Sequence, residues 1–223
     1  MKRLVCCVAA ALLAAPVIAG SDAIQTDGTL TDRDFYNLIS CGAAPGGPCI
    51  KPHKRWLSDD AQDLTVSIAM VQDKVPDKLE ELIRTGLSDA MGALSAATDN
   101  LKIRWAEATE QAKIEIFLVN ASYAQEMTGT GRGHLDGQRI ANAQVASNRT
   151  GGRITYATIA FSRSLDPGVI RSIALEEMFQ ALGFVYDIDN PSYRAKSLLD
   201  EHGSEVEQIS GQDLTALRLK YAY

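Results

Sequence analysis

Two periods of apolar residues run along this chain, and each period predicts one type of element. Alternation with a period of two predicts strands, which fall at residues 64–68, 101–105, 114–118 and 154–161. A period near 3.6 predicts helices, which fall at residues 31–40, 76–94, 166–182 and 210–219. After the first helix, the order is strand, helix, three strands, helix, an irregular segment and a last helix. This order predicts an α+β domain in which helices pack on one mixed sheet.

Local signals mark the ends of the last two helices. Asp166 is the predicted N-cap of the third helix, with Pro167 at its first position, and Gly183 is its predicted C-terminal residue. Ser210 and Asp213 have the spacing of a capping pair at the start of the last helix.

The segment 129–152 is rich in glycine, asparagine and glutamine. A phosphate-binding glycine loop needs a strand before it and a helix after it, whereas a predicted strand follows this segment. The composition therefore predicts a long surface loop. Because loops of this length are uncommon without a function, we expect it to line a cleft.

The first residues have the pattern of a secretory signal peptide. Lys2 and Arg3 precede an apolar run from Leu4 to Ile18, and small residues precede a cleavage site after Ala19. A membrane anchor is the alternative, but the run is shorter than the roughly 20 residues that span a bilayer. We therefore expect an exported protein, periplasmic or secreted, in which residues 20–60 form an N-terminal extension and residues 61–223 form the domain.

Charge narrows the set of partners. The whole chain has 22 basic and 28 acidic residues, and loss of Lys2 and Arg3 with the signal leaves 20 against 28, a net charge of −8. A surface of this sign repels phosphate backbones, so no nucleic acid is expected as a partner. Beyond residue 20 no apolar run is long enough to span a bilayer, so we expect no stable membrane insertion of the mature chain.

Two cysteines remain after the signal, Cys41 and Cys49, and a loop rich in glycine and proline separates them. An even number of cysteines in an exported chain predicts a disulfide. The alternative is a metal site formed with His53, but this spacing fits no zinc pattern.

The stretch from Glu176 to Gly183 carries polar residues on an otherwise apolar helix. Glu176 and Gln180 are four residues apart and share one face, while Glu177 lies at the side of that face. A carboxylate or an amide is costly to bury without a partner. These side chains are therefore predicted to face solvent or a polar cleft.

This stretch resembles the active-site helix of zinc metallopeptidases of the zincin fold, especially the matrixin branch of the metzincins. Their pattern is His-Glu-x-x-His-x-x-Gly-x-x-His. Glu177 matches the general-base glutamate, and residues 181–183 match the Ala-Leu-Gly that commonly follows the second histidine. Glu176, Gln180 and Tyr186 stand at the three zinc-ligand positions. The resemblance implies a zincin-like fold, with a mixed sheet, an active-site-type helix and a C-terminal helix.

The resemblance extends beyond this helix. Residues 197–199 (Ser-Leu-Leu) are similar to the turn beneath the metal, residues 209–221 are similar to the closing helix, and residues 154–161 stand where a zincin has its cleft-lining edge strand. A closer resemblance is to exported bacterial proteins that share a domain of unknown function. Their mark is Glu-Glu-x-x-Gln-Ala-Leu-Gly followed by Asp, here Asp187, with an upstream Arg-Trp pair, here residues 55–56. That family implies a fold and no established activity.

The replaced ligands change the expected chemistry. A catalytic zinc needs three protein ligands and prefers imidazole nitrogen or thiolate sulfur, whereas the amide oxygen of Gln180 is a poor zinc ligand. Without zinc, a water molecule keeps a pKa of about 15.7, in place of about 7 on the metal. We therefore expect no metal and no other cofactor, and no hydrolysis by the metallopeptidase route. Glu177 is a candidate catalytic residue only if activity remains.

Three interpretations stay open. In the first, the chain is a pseudo-peptidase, a non-catalytic module whose cleft binds a peptide, a partner protein or a cell-envelope component. The residues expected to line that cleft are Glu176, Glu177, Gln180, Tyr186 and Asp187. In the second, it is a hydrolase in which carboxylates act as acid and base or hold a hard cation such as calcium or magnesium. In the third, the same polar residues are structural and hydrogen-bond to neighbouring backbone.

Overall fold

A computed structural model describes residues 23–203 and 205–222. The predicted signal peptide, residues 1–19, lies outside the described residues. The helices are α1 Asp32–Cys41, α2 Ser58–Ala61, α3 Asp77–Ala97, α4 Ile170–Ala181 and α5 Gly211–Lys220. The strands are β1 Ile24–Gln25, β2 Leu64–Val71, β3 Ile103–Trp105, β4 Ile114–Val119, β5 Ala143–Thr150, β6 Arg153–Ser162 and β7 Ile188–Asp189. Short 3-10 turns lie at Pro167–Val169 and Pro191–Tyr193.

One mixed sheet organises the chain. Its strand order is β3-β2-β4-β6-β5, with every neighbouring pair parallel except β5 and β6, which are antiparallel. β1 and β7 form a separate two-stranded parallel pair. The predicted α+β class with a mixed sheet is therefore confirmed.

The two faces of the sheet pack against different partners. In β4, Ile114, Ile116 and Leu118 belong to the main core with α3 and α4. Phe117 and Val119 point to the opposite face, where the segment between β4 and β5 covers them in a smaller cluster. Successive strand residues alternate between faces, so the apolar run of β4 fills both clusters. Within the described ranges, no helix combines the length and the apolar character needed to cross a bilayer.

The predicted N-terminal extension packs into the same core as the rest of the chain. Phe35 and Leu38 of α1 are fully buried there, as is Trp56. The predicted disulfide is confirmed: Cys41, the last residue of α1, is bonded to Cys49. The bond joins the end of α1 to the loop that follows it.

The prediction of a loop at residues 129–152 is wrong for its second half, which forms β5. A two-residue turn at Gly151 and Gly152, with φ of 58° and 85°, joins β5 to β6 and pairs Thr150 with Arg153. Positive φ at both turn positions matches the twist of an antiparallel hairpin, which is why glycines occur there. The edge strand is consequently β5, whereas residues 154–161 lie in β6, which is paired on both sides.

The caps of the last two helices differ from each other. The Asp166 carboxylate accepts a hydrogen bond from Gly168 N at 2.8 Å, as predicted for the start of the turn that leads into α4. Ser210 precedes α5 but makes no side-chain cap bond, so the predicted capping pair is wrong. The carboxylate of Asp213 instead accepts hydrogen bonds from the turn at residues 197–198, one on each oxygen: Oδ1 from Ser197 Oγ and Oδ2 from Leu198 N.

Candidate functional site

The C-terminal end of α4 is fixed by side chains from two distant segments. The last carbonyls of a helix have no partner within the helix and need donors from elsewhere. The donors here are Trp56 Nε1 to Ala181 O (3.0 Å), Tyr221 OH to Leu182 O (3.0 Å) and Lys220 Nζ to Gly183 O (2.6 Å). All three donor side chains are buried. The polar residues of α4 therefore sit on a helix whose position is set by the N-terminal segment and by α5.

An acidic cavity of about 440 Å³ lies between α4 and the start of β5. It brings together three of the predicted site residues, Glu176, Glu177 and Asp187. The other charged or titratable residues that line it are Asp200, Glu201, His202 and Glu205. Six carboxyl groups thus surround one cavity, and no lysine or arginine is among its described lining residues.

Glu177 is the most deeply buried of these carboxyls. The residue is 6% exposed, and its Oε2 is buried with no hydrogen-bond partner. Burial raises the pKa of Glu177 to about 8, with a smaller contribution from the negative charge of Asp187. At neutral pH this carboxyl group therefore keeps its proton most of the time, and a protonated carboxyl is not a general base.

Glu176 has a related environment. Part of its surface is accessible, but its carboxyl is crowded by protein atoms. Burial raises the pKa of Glu176 well above its usual value, and the carboxyls of Glu177 and Asp187 raise it further. Crowding several carboxyls in one cavity thus favours protonation, unless a cation enters.

Gln180 belongs to a second cavity next to the first. Its Nε2 donates a hydrogen bond to Asp187 Oδ1 at 3.2 Å. This second cavity, about 310 Å³, is also lined by Lys51, Lys54 and Arg149, and by residues 145–147 of β5. The first cavity borders Ala143, the first residue of β5, and the two residues before it. The two cavities therefore follow one another along the edge strand, and the pair formed by Gln180 and Asp187 links them.

Tyr186 lies apart from both cavities and is among the described lining residues of neither. Its side chain is 3% exposed, and its hydroxyl is buried without a hydrogen-bond partner. The backbone N–H groups of Val185 and Tyr186 donate to Ile39 O at 2.8 and 3.2 Å, which holds this segment against α1. The ring of Tyr186 lies against Gly42 at the end of α1, whereas the next residue, Asp187, lines the acidic cavity.

The residues at the three ligand positions do not fit zinc. Glu176 and Gln180 open into different cavities, and Tyr186 packs on α1. Two of the three are neutral oxygen groups, which zinc binds poorly in comparison with imidazole or thiolate. No chemical step through zinc follows from this arrangement.

The cysteines and His202, which could also bind a metal, have partners within the protein. In the described part of the chain, one group of three such side chains has its ligand atoms within 4.8 Å of one another, and it consists of Cys41, Cys49 and His53. Both sulfurs of that group form the disulfide. His202 Nε2 lies 2.9 Å from Asp189 Oδ1, outside any such group. The carboxyls of the acidic cavity are therefore spread around its wall and do not converge on one point.

Sequence reasoning missed Asp200 and Glu201. Both lie in the segment predicted to be irregular, just after the Ser197 turn. Asp213 holds that turn by accepting hydrogen bonds from Ser197 Oγ at 3.0 Å and Leu198 N at 2.9 Å. The adjacent acidic pair was a visible signal, but only the folded turn brings it to the cavity that α4 lines.

No protein-family model matches this sequence, and no curated protein is significantly similar to it.

Proposed function

We propose that this chain is an exported, non-catalytic binding module with a zincin-like fold, and that its cleft between β5 and α4 binds an extended peptide segment of a protein or of a cell-envelope component. The mature chain would act outside the cytoplasm without zinc and without peptide hydrolysis.

One observation carries the proposal: an edge strand runs beside the helix that bears the Glu-Glu-x-x-Gln residues. The sheet order leaves one edge of β5 unpaired by any described strand. Such an edge offers backbone N–H and C=O groups to an added strand, and side-chain pockets beside it give selectivity. The two cavities along β5, at residues 141–143 and 145–149, provide such pockets.

The state of Glu177 supports a binding role over hydrolysis. A metallopeptidase uses this glutamate as a base on a water that the metal has acidified. In this chain the donor set does not fit zinc, and the raised pKa of Glu177 leaves little carboxylate at neutral pH. The arrangement therefore supports neither a zinc-bound water nor a glutamate base to act on it.

A peptide screen followed by amide hydrogen exchange tests the proposal. Peptides selected from a random pool of fluorescent heptapeptides would be added to the mature protein, and exchange would be followed residue by residue. We expect at least about tenfold slower exchange at those β5 amides, within residues 143–150, that do not pair with β6. Protection confined to another surface, or no binding from the pool, would contradict the proposal.

Two glutamine variants localise the binding. Gln180 lines the cavity beside β5, whereas Gln111 lines a cavity elsewhere, beside Glu115 and Arg132. We expect Gln180→Ala to lower the affinity for a selected peptide by about fivefold, a typical effect for one interface side chain. Gln111→Ala should leave that affinity unchanged. Equal effects of both substitutions would show that the peptide does not bind in the cleft beside β5.

A hydrolase that uses carboxyl groups is the second candidate, and the pKa of Glu177 is the observation that favours it. A carboxyl that holds its proton near pH 7 can act as a general acid. Any such activity would fall as the pH rises above about 8 and would be lost in Glu177→Gln. Assays of the mature protein on peptide and glycan substrates, with this variant beside it, would detect the activity.

A further inference from the structure

We propose that the acidic cavity receives the cationic side chain, lysine or arginine, of a peptide that lies along β5. This inference rests on the proposed function and names the chemical class of its ligand. The cavity is the one lined by Glu176, Glu177 and Asp187, together with Asp200, Glu201 and Glu205.

The charge of the cavity wall is one-sided. Six carboxyls line it, and its described lining residues include no lysine or arginine. The one histidine there, His202, is hydrogen-bonded to Asp189, at 2.9 Å. A cationic group is therefore favoured there, because the ionised carboxyls attract it and its charge offsets the crowding that holds protons on Glu176 and Glu177, whereas an anionic group would be repelled.

Glu177 gives an independent reason for a ligand. It is buried, it lines the cavity, and its Oε2 has no hydrogen-bond partner among the residues that the structure describes. An unsatisfied buried carboxyl oxygen is costly, and a donor from a ligand would remove that cost. An ammonium or guanidinium group supplies several donors and a positive charge together.

The position beside β5 favours a peptide side chain over a free inorganic cation. The carboxyl oxygens do not converge as a compact group of three within 4.8 Å in the described residues, as they would in a calcium site built mainly from carboxylates. A planar guanidinium with five donors reaches carboxyls that are spaced more widely, and an ammonium can pair with one or two of them. A peptide paired with β5 would point alternate side chains toward α4, where the cavity opens at residues 141–143.

Fluorescence anisotropy with matched peptides tests this inference. The probes are alanine-based heptapeptides with a central lysine or a central acetyl-lysine, which keeps the four-carbon chain and its nitrogen, adds a small acetyl group and removes the charge. We expect the lysine peptide to bind at least about tenfold more tightly, as for the loss of one charged hydrogen-bonding partner. Equal binding of the two peptides would overturn the inference and leave the proposed function intact.

Variants of the protein complete the test. Glu177→Gln and Glu176→Gln should each remove most of the preference for lysine over acetyl-lysine. Glu207→Gln is the matched control, because Glu207 is exposed and does not line this cavity. It should keep the preference within about twofold, since an exposed charge contributes little. A preference that falls equally in all three variants would reflect overall charge and would overturn the inference.

Two further results are decisive. If neither peptide binds, the inference fails alone; if the random pool also yields no binder, or its binders protect only another surface in the exchange experiment, the proposed function fails with it. If calcium chloride alone binds in calorimetry, with an affinity that Glu177→Gln abolishes, and the two peptides bind alike, the cavity is an inorganic cation site and the inference fails alone.

Discussion

At the scale of single residues, Glu177 is a carboxyl group that the fold surrounds with apolar atoms and other carboxyls. Burial disfavours the ionised form of this carboxyl group and raises its pKa to about 8. Burial also raises the pKa of Glu176, and it raises the pKa of Asp213 to about 7. These groups make the stability of the protein depend on pH in the neutral range.

Glu177→Gln should flatten that dependence. The folded pKa near 8 lies above the usual value of 4.5, so the native state binds the extra proton between these values and the free energy of unfolding falls as the pH rises across them. One proton contributes at most about 1.4 kcal/mol per pH unit. Glutamine has no charge to bury, so the variant should lose this contribution and be more stable than the wild type at pH 8.5. Urea titrations at pH 5.5 and 8.5 would measure the free energy of unfolding of both proteins. If that free energy changed equally with pH in the variant and in the wild type, Glu177 would not be buried as described.

Lys220 is a second residue whose environment is unusual. Its ammonium is buried and donates to Lys54 O at 2.8 Å and to Gly183 O at 2.6 Å, and burial holds its pKa well below the usual range. Lys220→Met fills a similar volume but leaves both carbonyls without this donor. We expect a loss of about 2–4 kcal/mol in the free energy of unfolding.

An exposed lysine is the matched control for that substitution. Lys196 also donates to a backbone carbonyl, that of Ser192 at 3.1 Å, but at the surface. Lys196→Met should cost less than about 0.5 kcal/mol. Comparable losses for the two variants in the same denaturation experiment would show that the burial of Lys220 is not what stabilises the end of α4.

At the scale of elements, the segment after α4 is positioned by its contact with α1. Gly42, the C-cap of α1, has φ of 74° and lies against the ring of Tyr186. A Cβ atom at Gly42 would come 2.7 Å from Tyr186 Cζ, which is closer than van der Waals contact allows. This close approach keeps Tyr186 on α1, while its neighbour Asp187 lines the cavity.

A pair of glycine variants separates the close approach from backbone strain. Gly46 also has a positive φ, 69°, but a Cβ there would meet no atom within 4 Å. Gly46→Ala should therefore cost roughly 1 kcal/mol from the left-handed backbone alone. Gly42→Ala should cost about 1–3 kcal/mol more, because the buried ring of Tyr186 must move. Thermal unfolding of both variants measures the difference, and equal losses would contradict the packing described.

The elements also show what local patterns could predict. β2, β4, α3 and α4 lie where the apolar periodicities predicted them. α3 buries one stripe, whereas β4 and α4 are buried on nearly all sides. Periodicity did not predict β5, because this strand lies half-buried at an edge of the sheet and its composition is polar. The Gly151–Gly152 turn was present in the sequence, but it indicates a hairpin only when the preceding segment is already taken as a strand.

At the scale of the whole molecule, the candidate site depends on contacts between segments far apart in the chain. The helical spacing correctly placed Glu176 and Gln180 on α4. It could not show that the two side chains line different cavities, linked by the hydrogen bond between Gln180 and Asp187, or that Tyr186 packs on α1. Asp200 and Glu201 reach the acidic cavity through a turn held by Asp213 on α5. Such tertiary placements carry no periodic signal in the sequence.

The three earlier interpretations can be compared on this geometry. Gln180 does hydrogen-bond within the site, but its partner is the side chain of Asp187 and not backbone. Glu177 has an oxygen without any partner, so a purely structural role leaves its burial unexplained. A cationic group bound in the acidic cavity would give that oxygen a partner, and this is why we favour binding over a structural role.

The metal content of the purified mature protein tests the central claim most directly. The protein would be incubated with equimolar zinc, dialysed against metal-free buffer and analysed by plasma mass spectrometry. Because Glu176, Gln180 and Tyr186, at the positions that resemble zinc-ligand positions, offer oxygen in place of imidazole nitrogen, we predict less than about 0.1 zinc per chain. A ratio near one zinc per chain, lost in Glu176→Gln, would contradict the account and restore metallopeptidase chemistry to this cleft.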